Sequence, residues 1–212
     1  MRSTDTLGAL TAAIEHGRRD EAVAHMRAAV AAGEPPRKML DALAAGMADV
    51  GRRFSNEQAF IPEVLTAARA MKRSMAVLEP VLVDAGIRPE FTAVIGTVQG
   101  DLHDIGKNLV AMMWKGSNYA VVDLGTNVSP ETFIEAAGDY RADVIGMSSL
   151  MTTTLPAMQR TVRALRCAGL KARVIVGGAP VTGSFARRIG ADGYARDAAT
   201  VVRETRRLMA AG

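Results

Sequence analysis

The sequence has few residues that could form disulfides or a metal site built from protein ligands alone. Among 212 residues there is one cysteine, Cys167, and there are three histidines. A single cysteine excludes an intramolecular disulfide and any CxxC metal site. Because Cys167 lies near the end of a predicted helix, we expect it to be a partly buried, small apolar residue.

Long apolar stretches are also missing. No segment reaches the roughly 18 continuous apolar residues that a membrane helix needs. The N-terminal residues contain neither an apolar core nor a small-residue cleavage site of the kind found in signal peptides. We therefore expect a soluble, cytoplasmic protein that has no membrane partner.

Dense basic segments and aromatic residues are scarce as well. The formal net charge is +4, but lysine and arginine are scattered along the chain and aromatic residues make up only 4%. Nucleic-acid-binding proteins commonly concentrate basic and aromatic residues on one surface. We therefore expect no nucleic-acid partner.

The first 88 residues contain only helical patterns. Apolar residues recur at helical spacing in four segments, and glycine or proline residues separate these segments. The last segment begins near Pro62 and extends to about Leu78. Four amphipathic helices joined by short breaks predict a helical bundle that comprises residues 1–88.

After a linker at Gly86–Pro89, residues 89–212 alternate between strand and helix patterns. Short apolar segments predict five buried parallel strands: Phe91–Val98, Ala120–Leu124, Val144–Ser149, Arg173–Val176 and Asp192–Ala195. This alternation predicts an α/β domain with a flavodoxin-like (Rossmann-like) five-stranded parallel sheet in the order 2-1-3-4-5. In such a sheet, ligands bind beyond the carboxyl ends of the strands.

Polar, glycine-rich loops lie at the ends of the first, third, fourth and fifth predicted strands. Their candidate ligand-binding residues are Gly100, Asp101, Leu102, His103, Asp104, Ile105 and Gly106, then Ser148, Leu150, Met151, Thr152, Thr153 and Thr154, then Gly177, Gly178, Ala179 and Pro180, and finally Ala195, Asp197 and Ala198. Glycine allows a ligand to approach the backbone closely, and helix N-termini favour phosphate. The loops therefore suit a large ligand with polar and phosphate groups.

His103 lies between two carboxylates, Asp101 and Asp104. An imidazole that ligates a metal through one nitrogen needs an acceptor for the other, and Asp101 can supply it. Local chemistry alone leaves open metal ligation, acid–base catalysis and a capping hydrogen bond. A zinc site built by the protein needs three or four ligands, whereas a metal held by a macrocycle needs only one from the protein.

Three of these loops contain short motifs at characteristic distances. The segment Asp101–Gly106 reads Asp-x-His-x-x-Gly, a Ser-x-Leu motif follows at Ser148–Leu150 after 41 residues, and Gly177-Gly178 follows after 26 more. This pattern resembles the cobalamin-binding domains of methionine synthase and of corrinoid methyl-transfer proteins. The segment Phe60–Leu65 also resembles the helical cap of the methyl-transfer group, so the resemblance covers nearly the whole chain.

The resemblance implies that the chain binds cobalamin or a related corrinoid and that His103 is the lower ligand of its cobalt. The cofactor's own base, commonly dimethylbenzimidazole, leaves the cobalt and enters the α/β domain. The resemblance also implies that Asp101 hydrogen-bonds His103 and that Thr154 is the third member of this relay.

Further implied contacts involve the periphery of the cofactor. The displaced base is expected against Ser148, Leu150 and Thr152, the nucleotide tail against Gly177, Gly178 and Ala179, and the upper face of the ring against Phe60 and Glu63 of the helical cap.

The function implied by the resemblance is methyl transport. The cobalt cycles between Co(I) and methyl-Co(III), and the chain is not catalytic alone. Its implied partners are a substrate-specific methyltransferase subunit and an acceptor methyltransferase that uses a folate or a thiol. The sequence leaves open the identity of the methyl donor and acceptor, and whether the chain forms a homodimer.

Two other classes of cobalamin-binding protein are alternatives. One is a non-catalytic sensor or regulatory module, and the other is the small subunit of a cobalamin mutase. Light sensors of the first class usually carry a Glu-His pair in the helical cap, whereas here Glu63 is followed by Val64.

Overall fold

The computed structural model of the protein describes residues 3–210. These residues form two compact units. The first comprises residues 3–89 together with residues 115–118, and the second comprises residues 90–114 and 119–210.

Four helices build the first unit: α1 (Ser3–Glu15), α2 (Arg19–Ala31), α3 (Pro36–Ser55) and α4 (Ile61–Asp84). Gly17 and Gly33 follow the first two helices with φ angles of 64° and 70°, the left-handed conformation that commonly ends a helix. Pro36 occupies the first turn of α3, where its missing N–H costs nothing. Helix α1 packs against α2 and α3, and α4 packs against α2 and α3, which confirms the predicted four-helix bundle.

Helix α4 continues beyond its predicted end at about Leu78. It runs to Asp84 and contains Pro80 in its interior. Proline removes one backbone donor from a helix, but Pro80 is exposed and Leu82 beyond it is buried. The burial of Leu82 therefore supports a last turn that the sequence pattern did not predict.

The second unit contains one five-stranded parallel sheet. Its strands are β1 (Phe91–Thr97), β2 (Tyr119–Asp123), β3 (Val144–Ser148), β4 (Arg173–Gly177) and β5 (Gly193–Ala195). Their order is β2-β1-β3-β4-β5, which confirms the predicted topology. The last strand begins at Gly193, one residue later than expected, and the Asp192 carboxylate just before it accepts a hydrogen bond from the Val174 N–H at 2.6 Å.

Five helices follow the strands in turn: α5 (Ile105–Gly116), α6 (Pro130–Asp139), α7 (Leu155–Cys167), α8 (Gly183–Ile189) and α9 (Ala198–Ala210). The apolar residues of β1, β3 and β4 are buried, apart from the half-buried Phe91 at the start of β1, as expected for central parallel strands. Trp114 of α5 is fully buried and donates a hydrogen bond to the Thr205 hydroxyl of α9 at 3.0 Å. Because all five strands are parallel, the loops at their carboxyl ends lie along one edge of the sheet.

One expectation about a single residue was wrong. Cys167 is exposed, because it is the last residue of α7 and lies on the solvent side of that helix. None of the helices within residues 3–210 is long and apolar enough to cross a membrane.

Candidate functional site

His103 and Asp101 lie close together in the loop between β1 and α5. The Nδ1 atom of His103 is 2.7 Å from Oδ1 of Asp101, and the His103 backbone N–H donates to the same oxygen at 3.0 Å. The Asp101 side chain is fully buried, whereas 51% of the His103 side chain is exposed. A carboxylate at Nδ1 favours the tautomer in which Nδ1 carries the proton and Nε2 keeps its lone pair.

The second oxygen of Asp101 binds the loop that follows β3. Oδ2 accepts hydrogen bonds from the Leu150 N–H at 2.7 Å, the Met151 N–H at 3.3 Å and the Thr154 hydroxyl at 3.0 Å. Burial raises the pKa of Asp101, but the hydrogen bonds from His103, Leu150 and Thr154 outweigh it and lower the pKa to about 2. The carboxylate is therefore charged at neutral pH.

Ser149 adds a hydroxyl that the motif analysis did not include. Its Oγ is 2.7 Å from Oγ1 of Thr154, and Ser149 is completely buried. The neighbouring Ser148, which was predicted to line the site, is the last residue of β3 and is half-buried. Ser149 is the variable position of the Ser-x-Leu motif, so the motif gave no reason to select it.

The loop after β2 also reaches this site, and sequence reasoning missed it. The Asn127 N–H donates to the Asp101 carbonyl at 2.9 Å, and its side-chain oxygen accepts from the Gly100 N–H at 2.8 Å. Asn127 has a φ of 55°, a conformation that asparagine tolerates better than most residues. Its position in the sequence could have indicated this role, because Asn127 follows the predicted strand β2 and neighbouring parallel strands end at the same edge of the sheet.

A buried lysine also stabilises the loop after β2. Lys107 is 3% exposed, and its Nζ lies 2.6 Å from both carboxylate oxygens of Asp123 and 2.7 Å from the Asn108 side-chain oxygen. Asp123 in turn accepts from the Gly125 N–H at 2.9 Å. The ion pair therefore connects α5, which follows the His103 loop, to the loop that carries Asn127.

The glycine pair after β4 allows two backbone segments to approach closely. A Cβ atom at Gly178 would lie 1.8 Å from the Ser149 carbonyl oxygen, and one at Gly177 would lie 2.8 Å from the Ala195 carbonyl oxygen. Gly178 also has a φ of 124°, which side chains rarely allow. The Gly-Gly motif therefore has a structural reason in this fold, because it lets β4 support the loop that binds Asp101.

Two predicted acidic residues cap helices. The Asp104 carbonyl accepts from the Asn108 N–H at 2.8 Å, and its carboxylate accepts from the Asn108 side chain at 2.9 Å. Asp197 accepts from the Thr200 N–H at 2.9 Å at the start of α9. Both residues stabilise the first turn of the helix that follows them.

The other predicted residues of the α/β unit differ in exposure. Three of them are large apolar side chains that are unusually exposed: Leu102 at 73%, Ile105 at 47% and Leu150 at 46%. Gly106, Thr152, Thr153 and Ala179 are also exposed, Pro180 and Ala198 are half-buried, and Ala195 is buried. A Cβ atom at Gly106 would meet no atom within 4 Å. This open position and the exposed apolar side chains leave room for a ligand near His103.

Phe60 and Glu63 belong to the helical unit. Phe60 immediately precedes α4 and is 71% exposed. Its backbone N–H donates to Oε2 of Glu63 at 2.8 Å. Glu63 therefore caps α4, while the Phe60 side chain is available to a ligand or a partner.

The donor set fits a metal that is already held by a macrocycle. Within residues 3–210, no group of three or more histidine, cysteine or acidic side chains could hold a metal ion. His103 nevertheless has one nitrogen fixed by a buried carboxylate and a ring that is half exposed. This is the arrangement expected of a single axial ligand to a macrocyclic metal.

Comparison with known protein families gives the same cofactor. A family model described as a B12 binding domain matches residues 91–203, and a second B12 binding domain model matches residues 6–79. The chain is 38% identical over 213 residues to the dimethylamine corrinoid protein of Methanosarcina barkeri, and the match covers 99% of this chain and 100% of that one.

Solved structures agree with this result. The crystal structure of a cobalamin-binding protein from Desulfitobacterium hafniense DCB-2 superimposes with a TM-score of 0.80 at 30% identity, covering 95% of this chain and 98% of that one. A chain of the methanol:cobalamin methyltransferase complex MtaBC from Methanosarcina barkeri gives 0.81 at 30% identity, covering 98% and 81%. The protein therefore belongs to the family of B12-binding corrinoid proteins associated with methyltransferases.

Proposed function

We propose that the protein is a methyl carrier and that His103 is the lower axial ligand of its corrinoid. The observation that carries this proposal is the hydrogen-bonded series from His103 through Asp101 to Thr154, with distances of 2.7 and 3.0 Å. When bound, the corrinoid supplies a cobalt centre that alternates between Co(I) and methyl-Co(III) and so accepts and releases a methyl group.

The protein's own contribution is to fix the imidazole. Asp101 holds the proton on Nδ1 of His103 and thereby leaves Nε2 for the metal. Its charge also favours electron donation from the imidazole, and its low pKa keeps that charge across the neutral range. Thr154 and the amides of Leu150 and Met151 hold the carboxylate in position.

The two halves of the chain have separate roles in this proposal. Residues 89–212 bind the cofactor, and residues 1–88 are the helical cap domain, on which the Phe60 side chain is exposed. The linker at Gly86–Pro89 joins the two domains. Gly86 has a φ of 67°, which is consistent with a turn at that point.

Two kinds of methyltransferase are the proposed partners. The match to a chain of the MtaBC complex supports a substrate-specific methyltransferase subunit, and the second partner transfers the methyl group to a folate or a thiol. The dimethylamine corrinoid protein supports a methylated amine as the donor to test first. The exposed Cys167 is compatible with a reducing compartment such as the cytoplasm.

Axial ligation is tested by reconstituting the purified protein with cob(II)alamin and recording its electron paramagnetic resonance spectrum. With ¹⁵N-labelled histidine in the protein, the splitting by the axial nitrogen should change from that of ¹⁴N to that of ¹⁵N. His103→Ala should remove this signal, whereas His16→Ala, at an exposed histidine of the helical unit, should leave it unchanged. An unchanged signal in His103→Ala would overturn the assignment of the ligand.

Methyl transfer is tested separately from cofactor binding. The reduced, corrinoid-loaded protein is incubated with a dimethylamine methyltransferase and dimethylamine, and the visible spectrum is followed over time. A carrier should be methylated only when both are present. If the protein ligates cobalt through His103 yet is methylated by neither this nor a methanol-specific methyltransferase, the sensor alternative is favoured instead.

A further inference from the structure

Two hydroxyl groups lie together beneath the Asp101 carboxylate. Oγ of Ser149 is 2.7 Å from Oγ1 of Thr154. Ser149 is completely buried and Thr154 is 6% exposed. A buried hydroxyl pair at this distance must share one hydrogen, so the direction in which each hydroxyl donates is fixed by its other neighbours.

Thr154 has two competing acceptors. Its Oγ1 lies 3.0 Å from Oδ2 of Asp101 and 2.9 Å from the carbonyl oxygen of Met151. A hydroxyl has a single proton and can donate to only one of them. Distance alone does not decide between the two acceptors.

The Met151 carbonyl already accepts a hydrogen bond from the Thr154 backbone N–H at 3.2 Å. The Ser149 hydroxyl also has a single proton, and its oxygen lies 2.7 Å from Oγ1 of Thr154 but 3.2 Å from the Met151 carbonyl oxygen, so the shorter contact is to Thr154. The Asp101 carboxylate is charged and buried, and it gains more from a hydroxyl donor than a neutral carbonyl does. If Ser149 donates to Thr154, the Thr154 oxygen is satisfied as an acceptor and its own proton points to Asp101.

We propose that Ser149 is a positioning residue that directs the Thr154 hydroxyl proton to Asp101 and thereby strengthens the hold of Asp101 on His103. The order of donation is Ser149 to Thr154 to Asp101, and His103 donates to Asp101 from the other side. Successive hydrogen bonds of this kind polarise one another, so the first donor strengthens the bonds that follow. This inference rests on the proposed function, because its effect is read at the axial ligand.

The test compares four proteins loaded with cob(II)alamin: wild type, Ser149→Ala, Thr154→Ala and the double variant. The fraction with histidine bound to cobalt is measured from the ¹⁵N-histidine resonance signal, under conditions in which half of the wild type is histidine-bound. Ser149→Ala should lower the ratio of histidine-bound to histidine-free cobalt about 2- to 5-fold, as expected for one neutral hydrogen bond acting through a second.

The double variant separates positioning from packing. If Ser149 acts only through Thr154, Ser149→Ala should have no further effect when Thr154 is already alanine. Thr161→Val is the matched control, because Thr161 is a completely buried hydroxyl that donates to Ala157 within α7. It should leave the ratio at its wild-type value. Should Ser149→Ala fold poorly, Ser149→Cys, which keeps a weaker donor, should give an intermediate ratio.

Two outcomes would overturn the inference while leaving the proposed function intact. One is a wild-type ratio in Ser149→Ala. The other is an equal loss from Ser149→Ala in the presence and absence of the Thr154 hydroxyl, which would mean that Ser149 acts through packing. By contrast, a wild-type protein that shows no histidine signal contradicts the proposed function itself.

Discussion

Replacing Asp101 with asparagine should destabilise the α/β unit even in the absence of any cofactor. The carboxylate accepts five hydrogen bonds, two from His103 and one each from Leu150, Met151 and Thr154. Whichever way the asparagine amide is oriented, its NH₂ group faces a backbone N–H that needs an acceptor. Leaving such a buried donor unpaired costs about 1–3 kcal/mol, and the loss of bonds to a charged group adds to this.

We therefore expect Asp101→Asn to lower the free energy of unfolding by about 2–4 kcal/mol at pH 7. Urea unfolding followed by tryptophan fluorescence measures this directly, because Trp114 is the single tryptophan and is buried in the second unit. Asp104→Asn is the control in the same loop, and its exposed side chain predicts a change below about 0.5 kcal/mol. A loss of less than 1 kcal/mol in Asp101→Asn, or equal losses in both variants, would refute the reasoning.

The pH dependence of the same variant follows from the low pKa of Asp101. Its pKa falls from 3.8 to about 2 on folding. A carboxylate with a lowered folded-state pKa contributes stability above its unfolded-state pKa and loses that contribution as pH falls toward the folded-state value. The contribution is at most about 2 kcal/mol. The difference in free energy of unfolding between wild type and Asp101→Asn should therefore be constant above about pH 5 and become smaller between about pH 4 and pH 2. A difference that does not change with pH would contradict the lowered pKa of Asp101.

Other substitutions test the loops around Asp101. Gly178→Ala should destabilise the protein by about 3 kcal/mol in urea unfolding, because its Cβ would collide with the Ser149 carbonyl. The control Gly138→Ala, at an open position in a helix, should stabilise the protein by up to about 1 kcal/mol. A neutral result for Gly178→Ala would contradict the described close approach. Lys107→Met should cost about 1–3 kcal/mol by leaving Asp123 unpaired, and should speed amide hydrogen exchange at Asn127. Unchanged exchange would show that the ion pair does not hold this loop.

The fold could be predicted from the sequence because its local signals agree with one another. Glycines in the left-handed conformation end α1 and α2, and the apolar segments of β1, β3 and β4 are continuous because both faces of those strands are covered. The errors lie at element ends, where tertiary contacts decide. The buried Leu82 lies four residues after Leu78 on the same face of α4, but the intervening Pro80 is a local signal for a helix end, and only the tertiary packing of Leu82 decides between the two.

Only part of the site could be predicted from the sequence. His103 and Asp101 are two residues apart, and the chemistry of their side chains is enough to suggest a hydrogen-bonded pair. Asn127 and Ser149 belong to other segments, and their roles depend on which strand ends are neighbours. Their residue types are common in loops, so neither type nor spacing distinguishes them from residues that merely turn the chain. Only the paired positions of the strands bring them to Asp101.

The order of the strands also explains why the distances between motifs carry more information than the motifs themselves. The Val98 N–H bonds the Ser148 carbonyl at 3.0 Å, and the Ser149 N–H bonds the Gly177 carbonyl at 3.2 Å, so the ends of β1, β3 and β4 are joined directly. The Asp101 carboxylate can accept from Leu150 and Thr154 only in this register. Each intervening segment must leave one strand end, cross the sheet and return beside it, which constrains its length. A Gly-Gly or Ser-x-Leu alone carries no such constraint, whereas their joint spacing indicates that the ends of β1 and β3 meet at the Asp101 carboxylate and that the end of β4 packs against the β3 loop.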